Sequence, residues 1–271
     1  MPELPEVETT RRGLEPALLG RRIAAVRVRN RRLRWPLPAR FERDLTGRQI
    51  TAVGRRAKYL LIETDAGTLI VHLGMSGNLR VVRAAHPLLA HDHVDLTLDS
   101  GLVVRFNDPR RFGSMHFTAD DPGRHRLLRA LGPEPLSAAF DPQYLHRRTR
   151  GRRVALKQLV MNASVVVGVG NIYASEALFR ARLNPRRAAG RLTRAEATRL
   201  VRAIRRVLAA AIKVGGTTLR DYVNADGLPG YFRQKLYVYE RDGQPCRVCR
   251  SPIRQTAQGQ RSTYWCPTCQ P

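Results

Sequence analysis

The sequence predicts an α+β protein: one helix, then a two-sheet β-sandwich, then a helical region, then a small β-hairpin module built around a metal. Three observations carry this. Short apolar runs with turn signals between them fill residues from about 21 to 118; helical periodicity replaces them up to about 214; and all four cysteines stand as two Cys-x2-Cys pairs near the C-terminus. The expected domains are 1–131, 132–236 and 237–271. At roughly 150 residues per domain the 271-residue length agrees with about two domains and a small module.

Residues 5 to 18 read as the opening helix: Pro5 suits the first helical turn, Glu6 and Glu8 suit its positive end, and Gly20 closes it. The β-like runs include AAVRVRN, ITAVGRR, KYLLIET, TLIVHLG, HVDLTLD and LVVRFND, with hairpin turns at Asp65-Ala66-Gly67 and Asp99-Ser100-Gly101. Strands at that spacing suggest a sandwich. The β signal stops after Pro122-Gly123, and the Pro-rich stretch 131–142 reads as a hinge. Helices follow at RRVALKQLVM, at NIYASEALFRARL and from Arg194, where Thr193 and Glu196 form a capping-box pattern. In the last of these, Leu200, Ile204, Val207, Leu208 and Ala211 form the core stripe, Arg199, Arg202 and Arg206 face out, and Gly215-Gly216 ends it.

The charge is 48 Lys and Arg against 22 Asp and Glu, a net +26, at a sequence pI near 11.4. Such a surface points to a polyanion, nucleic acid first, because phosphate binding releases counterions. The positive charge is nearly all arginine, so the lysines at 58, 157, 213 and 235 stand out. No apolar run has the length of a membrane span, and the start MPELPEVETT lacks a signal-peptide core, so an intracellular protein is expected.

Cys246-x2-Cys249 and Cys266-x2-Cys269 can place four thiolates around one zinc ion. Four protein ligands leave no open position, so the ion is expected to be structural. Between the pairs, two short strands flank a tip at Gln258-Gly259-Gln260. At the other end, Met1-Pro2 is a start that aminopeptidase trimming turns into a free secondary amine at Pro2, beside Glu3. An α-amino group titrates near 7.7 to 8.0, so part of it is neutral and nucleophilic at cellular pH, and burial increases that part. Such an amine can attack a sugar C1′ to give an iminium. The same residues also suit an ordinary helix N-terminus.

MPELPEVETTRRGL, Lys58, DPRRFG, GVGNIYASE, GGTTLRDY, DGLPGYF and the four-cysteine ribbon, in this order, resemble the formamidopyrimidine-DNA glycosylase family over essentially the whole chain. Leu4 favours this branch over endonuclease VIII, which usually has glycine there. The resemblance implies a base-excision repair glycosylase with AP lyase activity that flips an oxidised purine, 8-oxoguanine or a formamidopyrimidine, out of damaged duplex DNA. It implies that Pro2 attacks C1′, that Glu3 protonates the sugar oxygen, that Lys58 assists, and that β- and δ-elimination cut the strand. Arg261 would grip phosphate beside the lesion and assist the last elimination. Met75, Arg110 and Phe112 would fill the gap left by the flipped nucleotide, as an apolar wedge, a guanidinium for the orphaned base and a ring. Arg111, His91 and Arg152 would contact the DNA backbone.

Gly168-Val169-Gly170-Asn171 sits at a helix start, where bare N–H groups hold phosphate. By the resemblance it belongs to a helix-two-turn-helix element, with Asn171 on a phosphate and Glu176 as structural support. One structural zinc, a monomer and a bacterial cytosolic, nucleoid-associated location complete these expectations. The chain departs from its relatives at Asn162-Ala163, which bears on the support of Asn171, and at Arg220, in the segment that covers the flipped base. Two other readings compete: an endonuclease VIII-like enzyme for oxidised pyrimidines, and a noncatalytic DNA-binding zinc protein.

Overall fold

The computed structural model describes residues 2–216 and 236–271. Arg220, Lys235 and the motif at 226–232 lie outside the described residues. The chain forms two compact units, Met1–Arg129 with Val214–Tyr231, and Ala130–Lys213 with Phe232–Pro271.

The first unit opens with helix α1 (Leu4–Leu18), followed by β1 (Ile23–Val28), a short α2 (Phe41–Leu45), β2 (Ile50–Arg56), β3 (Tyr59–Thr64), β4 (Gly67–His72), β5 (Asn78–Arg83), β6 (Asp92–Leu98), β7 (Leu102–Asn107) and β8 (Ser114–Thr118). The strands make two four-stranded sheets, ordered β1-β6-β7-β5 and β2-β3-β4-β8, with every pairing antiparallel. Leu14 and Leu18 of α1 join Ile23, Ile50, Leu60, Ile62, Leu69, Val71, Val94, Leu96, Val104 and Phe106 in one core. Both expected hairpins form. Gly67 is required at the first: its φ is +146°, and a Cβ there would lie 2.3 Å from the Thr118 carbonyl oxygen. Glu8 fixes α1 on the sheet, taking Arg55 Nε of β2 at 3.1 Å and Arg11 and Arg12 on its own helix. Those guanidiniums hold its carboxyl below the usual range against the burial that raises it.

The second unit contains α3 (Pro142–Thr149), α4 (Leu156–Val160), α5 (Asn171–Arg180), α6 (Arg194–Lys213) and the hairpin β9 (Arg254–Gln258) and β10 (Arg261–Trp265). The capping box of α6 is present: Thr193 Oγ1 accepts the Glu196 N–H at 3.2 Å, and Glu196 Oε2 accepts the Thr193 N–H at 2.9 Å. Arg187 pairs with the same carboxyl and holds its pKa down at about 2. The core stripe of α6 is buried, and Arg199, Arg202 and Arg206 are exposed, as expected. Gly132 and Val167 exchange backbone bonds with Ala163 and Pro133, so the start of the Pro-rich stretch is fastened to this unit.

Two helices are shorter than their patterns. RRVALKQLVM becomes helical only at Leu156, because Ala155 makes a β-bridge with Ala188. Arg152 therefore lies in the connection before α4 and not at a helix start; its carbonyl accepts the Gly190 N–H. NIYASEALFRARL stops at Arg180, and Arg182 turns the chain with φ of 56°. The ribbon shares a core with α5: Phe179 packs with Val238, Cys246, Ile253, Tyr264 and Cys266.

Candidate active site and nucleic-acid interface

Pro2 and Glu3 are both buried, at the start of α1. Glu3 is the N-cap, and it forms a capping box with Glu6, whose Oε2 accepts the Glu3 N–H at 2.8 Å. The head is thus held by its cap, with two carboxyls next to Pro2. Lys58 sits in the tight β2–β3 turn, after Ala57 with φ of 56°. It lies close enough to His72 that, with burial as the larger cause and Arg34 adding to it, the imidazole is pushed down to about 4.

The three proposed gap-filling residues come together. Met75 and Phe112 are 38% and 44% exposed, against the trend for large apolar side chains, and the Arg110 guanidinium lies 4.8 Å over the Phe112 ring. Their two loops share a buried anchor. The Asp108 carboxylate, fully buried, accepts Ser76 Oγ at 2.8 Å from the Met75 loop and the Gly113 N–H at 2.7 Å from its own. Ser76 Oγ in turn accepts the Arg110 N–H at 3.3 Å. The backbones also touch: a Cβ on Gly74, whose φ is +69°, would meet Gly113 N at 2.4 Å. His72 Nδ1 accepts the Gly74 N–H at 3.0 Å, which needs the neutral ring that its low pKa supplies.

His91 joins this assembly through its carbonyl, which accepts the Asp108 N–H, while His93 Nε2 donates to the Asp108 carbonyl at 2.8 Å. Arg111, with φ of 54°, is exposed beside them. Asp108→Ala should therefore lower unfolding stability by about 2–4 kcal/mol, since it strands the Gly113 N–H and the Ser76 hydroxyl in a buried place. A urea midpoint equal to that of the wild type would show that the two loops do not depend on this carboxylate.

In the second unit Asn171 and Arg261 belong to one neighbourhood, organised by one of the four lysines, to which the sequence alone assigned no role. Lys157 is 1% exposed, and its ammonium donates to Asn171 Oδ1 at 2.6 Å, Ser262 O at 2.9 Å and Thr263 Oγ1 at 2.8 Å. Three donors meet three acceptors, as a buried ammonium requires. With Oδ1 taken, the Asn171 amide is oriented from behind. Asn162 plays no part in this: its Oδ1 accepts both the N–H and the hydroxyl of Ser164. Asn171 opens α5 after Gly170 as N-cap, and Arg261 is the exposed first residue of β10, next to Ser262. Among the described residues Arg152 bonds through its backbone to Thr149 and Gly190, outside this neighbourhood.

Glu176, one turn and a half along α5, is 1% exposed, and its two oxygens accept the N–H groups of Tyr237, Val238 and Tyr239 at 2.9–3.0 Å. Burial pushes its carboxyl up and these donors pull it back. The four cysteine Sγ atoms lie within 4.8 Å of one another, and the N–H groups of Val248 and Cys269 donate to Cys246 and Cys266 sulfur at 3.4 Å. Zinc–sulfur bonds of about 2.3 Å in a tetrahedron need sulfurs roughly 3.8 Å apart. The set therefore fits one Zn2+, with backbone donors already turned to thiolates.

Comparison with known proteins agrees with this arrangement. The formamidopyrimidine-DNA glycosylase N-terminal domain matches residues 1–115, its H2TH domain residues 131–223, and the zinc finger found in FPG and IleRS residues 243–271. Formamidopyrimidine-DNA glycosylase of Thioalkalivibrio sulfidiphilus is 60% identical over 270 residues, covering 100% of both chains. The MutM (FPG) protein of Thermus thermophilus superposes with a TM-score of 0.88 at 44% identity, over 99% of this chain and 98% of that one. A Lactococcus lactis FPG mutant, solved with a Fapy-dG containing DNA, gives 0.92 at 32% identity over 99% of both chains. A two-sheet sandwich, an H2TH domain and a four-cysteine ribbon define a DNA glycosylase of base-excision repair. The chain belongs to the formamidopyrimidine-DNA glycosylase family.

Proposed function

We propose that this glycosylase excises oxidised purines, 8-oxoguanine and formamidopyrimidines, from duplex DNA with the Pro2 amine as nucleophile. The observation that carries the reading is the preassembled wedge: Met75, Arg110 and Phe112, exposed, are fastened through Ser76 and Asp108. Such a wedge fills the space of an extruded nucleotide and gives the orphaned base a hydrogen-bonding partner. The family's solved complex with Fapy-dG DNA supports the substrate class.

The buried position of Pro2 disfavours its charged form, so the amine is ready to attack C1′ of the flipped nucleotide. The C1′–N bond breaks as the C1′–N(Pro2) bond forms. Glu3 gives a proton to the sugar ring oxygen as the ring opens, leaving an iminium. Loss of a C2′ proton then expels the 3′ phosphate, and a second elimination expels the 5′ phosphate. Lys58 serves proton transfer at the reacting nucleotide and Arg261 the last elimination. Asn171, Arg152, His91 and Arg111 hold the backbone phosphates. In this division of labour 1–131 performs the chemistry, 132–236 grips DNA and 237–271 is the finger. The enzyme works as a monomer in the bacterial cytosol, at the nucleoid.

The test mixes untagged protein with a duplex carrying one 8-oxoguanine opposite cytosine and adds borohydride. A covalent protein–DNA band whose peptide maps to Pro2 is the expected result. Faster release from a matched duplex with an oxidised pyrimidine would move the assignment to the endonuclease VIII type of substrate. Tight binding without any band would remove the Pro2 mechanism.

A further inference from the structure

The second unit carries 24 Lys and Arg against six Asp and Glu, far more than Asn171, Lys157 and Arg261 can use. At the C-terminal end of α5, a cleft of about 390 Å3 is walled by Arg180, Arg182, Arg199, Arg202, Arg206 and Tyr237. Nine residue steps of about 1.5 Å separate Asn171 from Arg180, so the cleft lies about 14 Å along the helix axis from the Asn171 end. It is not the site described above.

Its construction differs from that of a solvated basic face. The Arg180 guanidinium lies 4.8 Å over the Tyr237 ring, which is itself stacked on Phe179 at 5.3 Å and 28°. Held flat in this way, Arg180 loses little freedom on binding. Its Nε is buried without a hydrogen-bond partner among the described residues.

Local negative charge does not balance the cleft. Cys269 lines it, and Zn2+ with four thiolates keeps a formal surplus of two negative charges against five guanidiniums. Glu176 is taken up by the backbone at 237–239, and Glu196, 3.9 Å from Arg199, is bound more tightly by Arg187. Arg199 Nε also reaches the Ala181 carbonyl, at 3.5 Å.

We propose that this cleft binds the phosphodiester backbone of a second DNA segment, apart from the duplex held at the lesion. Arg199, Arg202 and Arg206 are exposed at helical spacing along α6 and form a row about 10 Å long. A strand of B-DNA presents a phosphate about every 3.4 Å of axis, so the row matches about three phosphates. A linear row suits a linear polyanion better than a small one. An enzyme holding two segments can pass from one to another without release into solvent.

The test uses the full-length zinc-loaded protein saturated with a short unlabelled duplex containing an abasic-site analogue. A labelled, undamaged duplex is then titrated in and followed by anisotropy. The wild-type complex should bind it. The triple variant Arg199→Ala, Arg202→Ala, Arg206→Ala, which places a better helix former at each position, should bind it about tenfold more weakly. Its log affinity against log salt should be shallower by about 2.7. Base release from a short lesion duplex should be unchanged in that variant. A control of equal charge, Arg21→Ala, Arg43→Ala, Arg124→Ala, should weaken the second duplex by less than about threefold. Failure of the wild-type complex to take a second duplex, or equal losses in the two triple variants, would overturn the proposal. So would capture of a polyglutamate peptide by the cleft in place of the duplex, which would assign it to an acidic protein.

Discussion

One uncleaved residue ahead of Pro2 should lower base release by at least about a thousandfold, equivalent to roughly 4 kcal/mol of transition-state stabilisation. The extension turns a basic secondary amine into an amide, whose lone pair is delocalised and not nucleophilic. It changes no other side chain, so DNA affinity should stay within about threefold. Single-turnover release and borohydride trapping, run beside a binding titration, separate the two quantities. Normal release by the extended protein would place the nucleophile elsewhere, and the Lys58 amine would be the next to examine. The burial of Pro2 and the Glu3–Glu6 capping box hold the head in place. An extension should therefore act on the reaction rather than by loosening α1 throughout.

Removing zinc should have the larger effect on structure. Apparent free energies of about 10–16 kcal/mol bind Zn2+ in small four-ligand domains, and there that binding is folding energy. Here Cys246 and Cys266 are themselves core residues, packed with Phe179, Val238, Ile253 and Tyr264. Chelation should release the β9–β10 hairpin. Ser262 and Thr263 then leave the Lys157 ammonium, and the orientation of Asn171 is lost with them. DNA affinity should fall by more than the loss of Arg261 alone produces. Hydrogen exchange should quicken at residues 254–265, with the sandwich amides unchanged because that core is made of its own residues. Protection at 254–265 that survives chelation would show that the hairpin does not need the ion.

What the sequence revealed and what it hid follow one physical rule. Local signals were legible: the α1 start, the two hairpin turns, the Thr193–Glu196 cap, the arginine face of α6 and the cysteine pairs each depend on neighbours within a few residues. Short elements were not. The five-residue β8 and α2 carry too few residues for a period to show. The α4 pattern overran because the Ala155–Ala188 bridge competes for its first turn. Long-range chemistry was hidden altogether. Ser76 and Asp108 are 32 residues apart, and two of the three acceptors on Lys157 lie 105 and 106 residues away. The roles proposed for Met75, Arg110, Phe112 and Asn171 rest on family resemblance, since their residue types alone suit a core or a surface equally well.

Arginine outnumbers lysine by 44 to four in this chain. The ammonium cage of Lys157 is a position where arginine would not serve in place of lysine. Three acceptors at 2.6–2.9 Å surround a point charge at the end of a thin stem. A planar guanidinium is larger and brings five N–H groups in a fixed fork, of which only some could be met. Exchange to arginine here, conservative by charge, would push β10 away from α5. Charge alone is therefore not enough at the buried joint between Asn171 and the ribbon, which requires the shape of a lysine.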